Sequence, residues 1–138
     1  MKNKNIFVLV CLILFFICCN NNISIDGIYI SEHLCELADD RYGADYVGLL
    51  ETSLNGENDS IRKFVQLSFD AAYAYEHGII IVELIERIGS EKFICALENT
   101  DSAERNELSA YIQVGLEYGK TNECERRNVK RVLQFLEK

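Results

Sequence analysis

The 138-residue chain contains no proline, no tryptophan, one methionine and only two histidines. Without proline, every turn falls to Gly, Asn, Asp or Ser, and proline-rich linkers and recognition segments are excluded. The histidines, His33 and His77, stand in neither an H-E-x-x-H nor a paired C-x-x-C spacing, so no zinc motif is present. His33-Leu34-Cys35 with Glu36, Asp39 and Asp40 is a poor metal set, because adjacent helical residues point apart. G-x-S-x-G, the P-loop and G-x-G-x-x-G are also missing, and the chain is read as non-catalytic, with no cofactor and no small-molecule substrate. A Cys–His nucleophile stays open, since spatial neighbours need not be sequence neighbours. Basic residues are scarce: 14 Lys and Arg face 22 Asp and Glu. That field repels nucleic acid and anionic lipid head groups.

At the N-terminus, Lys2 and Lys4 precede Ile6 to Ile17, an uncharged apolar run followed by Cys18-Cys19-Asn20-Asn21-Asn22. The run is shorter than the roughly 20 residues a spanning helix needs, which is a signal-peptide layout. It resembles a bacterial lipoprotein signal, in which a short apolar tetrad ends in the lipid-accepting cysteine. Phe16-Ile17-Cys18-Cys19 places a small residue before Cys19, whereas Cys18 would follow the bulky Ile17; Phe16 departs from the usual aliphatic. The resemblance implies a signal peptide over 1–18, lipid on Cys19, a tether over 19–30 and a helical domain over 31–138. The product would be a membrane-anchored lipoprotein of the cell envelope facing the periplasm. An ordinary secretory signal is the alternative.

Removing Lys2 and Lys4 leaves 12 basic residues against 22 acidic ones, a net charge of −10. The imbalance is uneven, because residues 122–138 carry five basic and three acidic residues. A basic last helix on an acidic body suggests internal pairing. The densest apolar run outside the N-terminus is Gly78 to Leu97. Ile81, Leu84, Ile85 and Ile88 have helical spacing, so Ile79 to Ile88 reads as a buried helix starting after a stop at Gly78, with a β-branched strand as the rival. His77 then complements the end of the preceding helix, which opens at Asp59 or Ser60 and carries Ile61, Phe64, Val65, Phe69, Ala72 and Tyr73. Ser31 caps a first helix from Glu32, and Asn55-Gly56 ends a second. Asp101 with Glu104, and Asn122 with Glu125, have capping-box spacing. The class expected is all-α: one compact domain of six or seven short helices.

Tyr46 to Ala72 resembles a HEAT-type helical hairpin, with Leu49-Leu50 and Leu54 on the first helix, an acidic turn at Asp59 and the aliphatic-Arg pair Ile61-Arg62 opening the second. The match covers about a quarter of the exported part, and later segments lack the pair. In size, charge, export and helical build the chain also resembles immunity proteins that neutralise toxins delivered between bacteria, although no motif supports that likeness.

Three cysteines remain beyond the anchor, an odd number for an oxidising compartment. Cys95 reads as a small core hydrophobe and Cys35–Cys124 as the bridge, with three reduced thiols as the alternative. The functional expectation is a protein-binding module, an inhibitor or immunity protein for a basic protein partner, with a structural adaptor of an envelope complex as the alternative. Glu57, Asp59, Glu104 and Glu107 are the expected partner-binding acids, dispensable for stability.

Overall fold

The computed structural model describes residues 23–120 and 123–138; the signal-like segment, Cys19 and Asn122 lie outside them, as do the side chains of residues 123–125, Cys124 included. The described residues form a two-stranded hairpin, β1 (Ile23–Ile25) and β2 (Ile28–Ile30), and then seven helices. These are α1 (Glu32–Tyr42), α2 (Tyr46–Leu54), α3 (Asn58–Val65), α4 (Ala71–Ile88), α5 (Ser90–Ala96), α6 (Ser102–Tyr118) and α7 (Glu123–Leu136). The domain is all-α in class, with α4 against α6 as its most extensive helix pair.

The hairpin corrects the tether expected up to residue 30. Ile23 pairs with Ile30, Ser24 with Tyr29 and Ile25 with Ile28, around a turn in which Asp26 and Gly27 both have positive φ, 49° and 83°. That is the backbone two-residue hairpins select, and Asp-Gly between two Ile-x-Ile triplets was the available signal. Ile28 and Ile30 are fully buried while Tyr29 faces solvent, as period-2 geometry requires. Ser31 fastens the junction to α1: its Oγ accepts from Leu34 N at 3.2 Å, and its N and Oγ donate to the two Glu76 oxygens at 2.6 and 2.7 Å. The expected Ser31 cap is therefore present and is tied to α4 as well.

The central stretch is helical, which overturns the strand alternative, but its start was misread. Helix α4 runs unbroken through Gly78 for 18 residues and ends at Gly89, whose φ of 84° suits glycine. Gly78 is an internal contact with α6. A Cβ there would lie 3.2 Å from Gly115 N and closer still to the Tyr111 carbonyl. Around this crossing α4 buries Ile80, Ile81, Val82, Leu84 and Ile85.

Helix α3 stops at Val65, short of the expected run to Tyr73, because residues 66–70 are non-helical. The amides of Gln66 and Leu67 still turn back to Arg62 O and Phe64 O, but the backbone groups of Ser68 and Phe69 are satisfied by distant side chains. The Tyr42 hydroxyl donates to Ser68 O at 2.6 Å and accepts from Ser68 N at 3.1 Å. The Tyr111 hydroxyl accepts from Phe69 N at 2.7 Å and donates to Phe69 O at 3.1 Å. Arg41 adds bonds to Ser68 O and to the Asp70 carboxylate. To enter α4 from this segment, Ala71 takes a φ of 50°, which is strained for an L side chain with a Cβ. Ala71→Gly should therefore raise stability by up to about 1 kcal/mol in urea unfolding, the reverse of the usual cost of glycine in a helix.

The Asp101–Glu104 capping box is formed: Asp101 Oδ1 accepts from the backbone N of Ala103 and of Glu104, and Glu104 Oε2 accepts from Asp101 N. Helix α7 closes the core with Val129, Val132 and Leu136.

Candidate functional site

The four expected partner-binding acids fall into two places. Glu57 and Asp59 sit at the start of α3, both exposed; Glu57 accepts from the Ser60 hydroxyl at 3.4 Å and Asp59 pairs with Arg62 at 3.3 Å. Glu104 and Glu107 lie on the first turns of α6, beside the end of α3. There Val65, Gln66, Thr100, Glu104, Glu107 and Leu108 line a cleft of about 350 Å³. Val65 and Leu108 give it an apolar floor, Gln66 Nε2 donates to Glu104 Oε1 at 2.7 Å, and Glu107 is exposed. Glu104 is thus committed twice, to its own helix cap and to Gln66, so it is not the dispensable surface acid the sequence suggested.

Gln66 also lines a second, wider cleft of about 560 Å³ with Tyr42, Gly43, Ala44, Asp45, Gly48, Leu49, Lys63 and Leu67. Small residues at 43, 44 and 48 leave this space open between the α1–α2 corner and α3. The two clefts are neighbours across one side chain. The wider one carries both Asp45 and Lys63, whereas the α3–α6 cleft sets two carboxylates over an apolar floor, which suits a long cationic side chain whose stem packs on apolar surface while its head meets a carboxylate.

His77 is the residue the sequence misplaced most. It lies inside α4, fully buried, ringed by Tyr46, Phe64, Phe69 and Tyr111 at centroid distances of 5.7, 5.1, 4.9 and 5.2 Å. Its Nδ1 shares a 2.8 Å hydrogen bond with the Tyr46 hydroxyl, and its Nε2 has no hydrogen-bond partner. Burial drives its pKa down from 6.5 to about 3, opposed in part by the nearby backbone of Leu67, so the ring is neutral at physiological pH. Burial likewise pushes the Tyr46 hydroxyl well above its usual range. The pair is closed off from solvent and is a core element. His33, by contrast, is exposed and meets Glu36 at 3.2 Å.

Cys95, expected in the core, is exposed, with Asn58 Nδ2 donating to its sulfur at 3.8 Å. The run Phe93 to Leu97 is helical up to Ala96, so Phe93, Ala96 and Leu97 turn inward while Cys95 turns out. Cys35 is half-buried, and burial, followed by the charges of Glu76, Asp45, Glu32 and Glu36, raises its thiol pKa, which disfavours the nucleophilic thiolate. Its expected bridge partner, Cys124, has no described side chain. Among the tyrosines, Tyr46 and Tyr111 are buried, Tyr42 is exposed, and Tyr75 meets Tyr118 edge-on at 4.9 Å. Among the described residues no group of three or more His, Cys, Asp or Glu is placed to hold a metal ion, and no helix is long and apolar enough to cross a membrane. No family model, curated protein or solved structure matches this chain.

Proposed function

We propose that the chain is a lipid-anchored, non-catalytic binding module, an inhibitor or immunity protein in the cell envelope, that captures a basic protein surface. The observation that carries this reading is the cleft between α3 and α6, where Glu107 and Glu104 stand over the apolar floor of Val65 and Leu108 on a protein of net charge −8. Such a cleft accepts a lysine or arginine from a partner, and the surrounding negative field speeds the encounter. The α2–α3 pair is read within this proposal as a HEAT-like hairpin. Arg62 of its aliphatic-Arg pair binds Asp59 within α3 and donates from Nε to the Ala96 carbonyl of α5, which stiffens the wall facing a partner.

The acids should separate under charge reversal. Glu107→Lys should slow association with a basic partner by about tenfold and flatten its salt dependence while leaving the melting temperature within a few degrees. Glu104→Lys should do the same and also cost about 1 kcal/mol of stability, because it removes a capping-box acceptor. Glu57→Lys and Asp59→Lys, remote from the cleft, should change the rate less. Stopped-flow association rates and thermal unfolding check this, and equal rates for all four variants would sink the cleft as the recognition site.

A further inference from the structure

The wider cleft, of about 560 Å³, differs in chemistry from the acidic one beside it. Its size falls within the roughly 300–1,000 Å³ usual for small-molecule sites. Glycines 43 and 48 and Ala44 keep its first wall, the α1–α2 corner, low, while Lys63 of α3 and Leu67 just beyond that helix form the wall opposite. Apolar surface comes from Leu49, Leu67 and the ring of Tyr42. That ring is held in place, since its hydroxyl both donates to Ser68 O and accepts from Ser68 N. The walls are thus set before a ligand arrives, which lowers the ordering cost of binding.

The charged side chains that line this cleft are Asp45 on the first wall and Lys63 on the second, one of each sign. Each has a local role: Asp45 caps α2, its Oδ1 accepting from Gly48 N at 3.0 Å, and Lys63 is a cation in the last turn of α3. Neither role neutralises the charge, and among the described residues no ion pair joins the two to each other or to a third side chain. Charges nearby are engaged elsewhere: Arg41 with Ser68 O and Asp70, Asp59 with Arg62, and Glu104 with its helix cap and Gln66. Asp39, Asp40 and Glu107 are no part of the lining. Gly48 guards the carboxylate's position, because a Cβ there would meet Asp45 Oδ2 and lie 3.0 Å from its Cγ. An unpaired anion and an unpaired cation across one apolar-floored cleft match a ligand that carries both charges on an apolar body. We propose that the cleft binds a small zwitterion with an apolar side chain, a free amino acid of the leucine type or a short peptide of such residues. Its ammonium meets Asp45, its carboxylate meets Lys63, and its side chain packs on Leu49, Leu67 and Tyr42. The cap leaves Asp45 lone pairs to spare for an ammonium. This site is separate from the recognition of a basic partner at Glu104 and Glu107 and does not depend on it.

Titration of the full, isotope-labelled chain in detergent with free leucine and with dileucine, followed by amide shifts, tests this. At least one of them should shift the amides of Gly43, Gly48 and Leu49 saturably, and the tighter of the two reports the span from Asp45 to Lys63. Glycine, without a side chain, should bind at least about tenfold more weakly than leucine. Removing one charge from the ligand, as in N-acetylleucine or leucinamide, should likewise cost about tenfold. Asparagine is a good cap and methionine keeps the stem of a lysine, so Asp45→Asn and Lys63→Met should both fold, and each should weaken binding about tenfold. Glu107→Gln, in the acidic cleft, should leave the affinity unchanged. Amides that stay unmoved by leucine and dileucine up to their solubility limits would overturn the proposal. Equal affinities for leucine, N-acetylleucine and leucinamide would do so too, by revealing a groove that ignores charge, as would full affinity in both the Asp45 and the Lys63 variant.

Discussion

Gly78→Ala and Gly115→Ala should each strongly destabilise the domain, and Gly78→Leu should prevent folding. The added Cβ at 78 meets the Tyr111 carbonyl and Gly115 N, and the one at 115 meets the Gly78 carbonyl group, with its carbon at 2.6 Å, and Val82 Cγ2 at 2.7 Å. Most of these are backbone atoms, which cannot rotate away as a flexible side chain would. Relief requires α4 and α6 to separate, and they form the most extensive helix contact in the fold. Overpacking of a close-packed core costs about 1–3 kcal/mol and sometimes more, so a single methyl group at this crossing should sit at the top of that range. Against a total stability of about 5–15 kcal/mol, an isobutyl group there is decisive. Gly43→Ala is the control: Gly43 has a positive φ, 59°, but a Cβ there meets nothing within 4 Å, so only backbone strain of about 1 kcal/mol is added. Chemical denaturation of the three alanine variants separates steric cost from conformational cost. Similar losses at positions 43, 78 and 115 would show that the helices are not held this closely.

The second large effect is acid sensitivity centred on His77. Its folded-state pKa of about 3 lies below the ordinary 6.5, so between those values the unfolded chain holds a proton that the folded one excludes. The contribution is fully present above about pH 6.5 and is lost as pH falls towards 3. Over the whole window it amounts to up to roughly 5 kcal/mol, at about 1.4 kcal/mol per pH unit. The cage of Tyr46, Phe64, Phe69 and Tyr111 holds no acidic side chain to compensate an imidazolium. A His77→Phe change alone would strand the Tyr46 hydroxyl in the core. The paired variant His77→Phe, Tyr46→Phe removes donor and acceptor together and should fold. Urea midpoints measured from pH 7 down to pH 4 should fall steeply for the wild type and distinctly less for the pair, whose residual slope reports the carboxylates. Parallel slopes would mean that His77 takes up its proton without opening the core.

What could be read from the chain beforehand divides by the physics involved. Helix starts were legible where a side chain makes the cap, as at Ser31 and in the Asp101–Glu104 box, because capping is a local bond with a fixed spacing. The buried stripe Val129, Val132 and Leu136 follows helical periodicity, which is local in the same sense. Gly78 was not, since glycine inside a helix and glycine after one look alike until the partner helix is known. Residues 66–70 were not either: Leu67 and Phe69 carry the apolar pattern of a continuing helix, yet their conformation is decided by Tyr42, Tyr111 and Arg41, which lie far away in sequence. The hairpin's Asp-Gly turn is a local signal, but directly after the expected lipid acceptor the same polar stretch also suits a tether. At the candidate site, the acids at 104 and 107 could be named from charge alone. Their division of labour could not, because Gln66 reaches Glu104 across 38 positions of sequence.

The segment from Gln66 to Asp70 also has a place in the order of folding. Ser68 and Phe69 give their amides to hydroxyls 26 and 42 positions away, so they can be satisfied only after α1 and α6 have been brought together around α4. Closing such long loops comes late and is slow compared with forming the helices themselves. Until then His77 stands open to water and can take a proton freely. The stretch of backbone that seals the histidine is thus one whose own bonds depend on three helices at once, and with it in place the acidity of the medium acts on the whole domain as a unit.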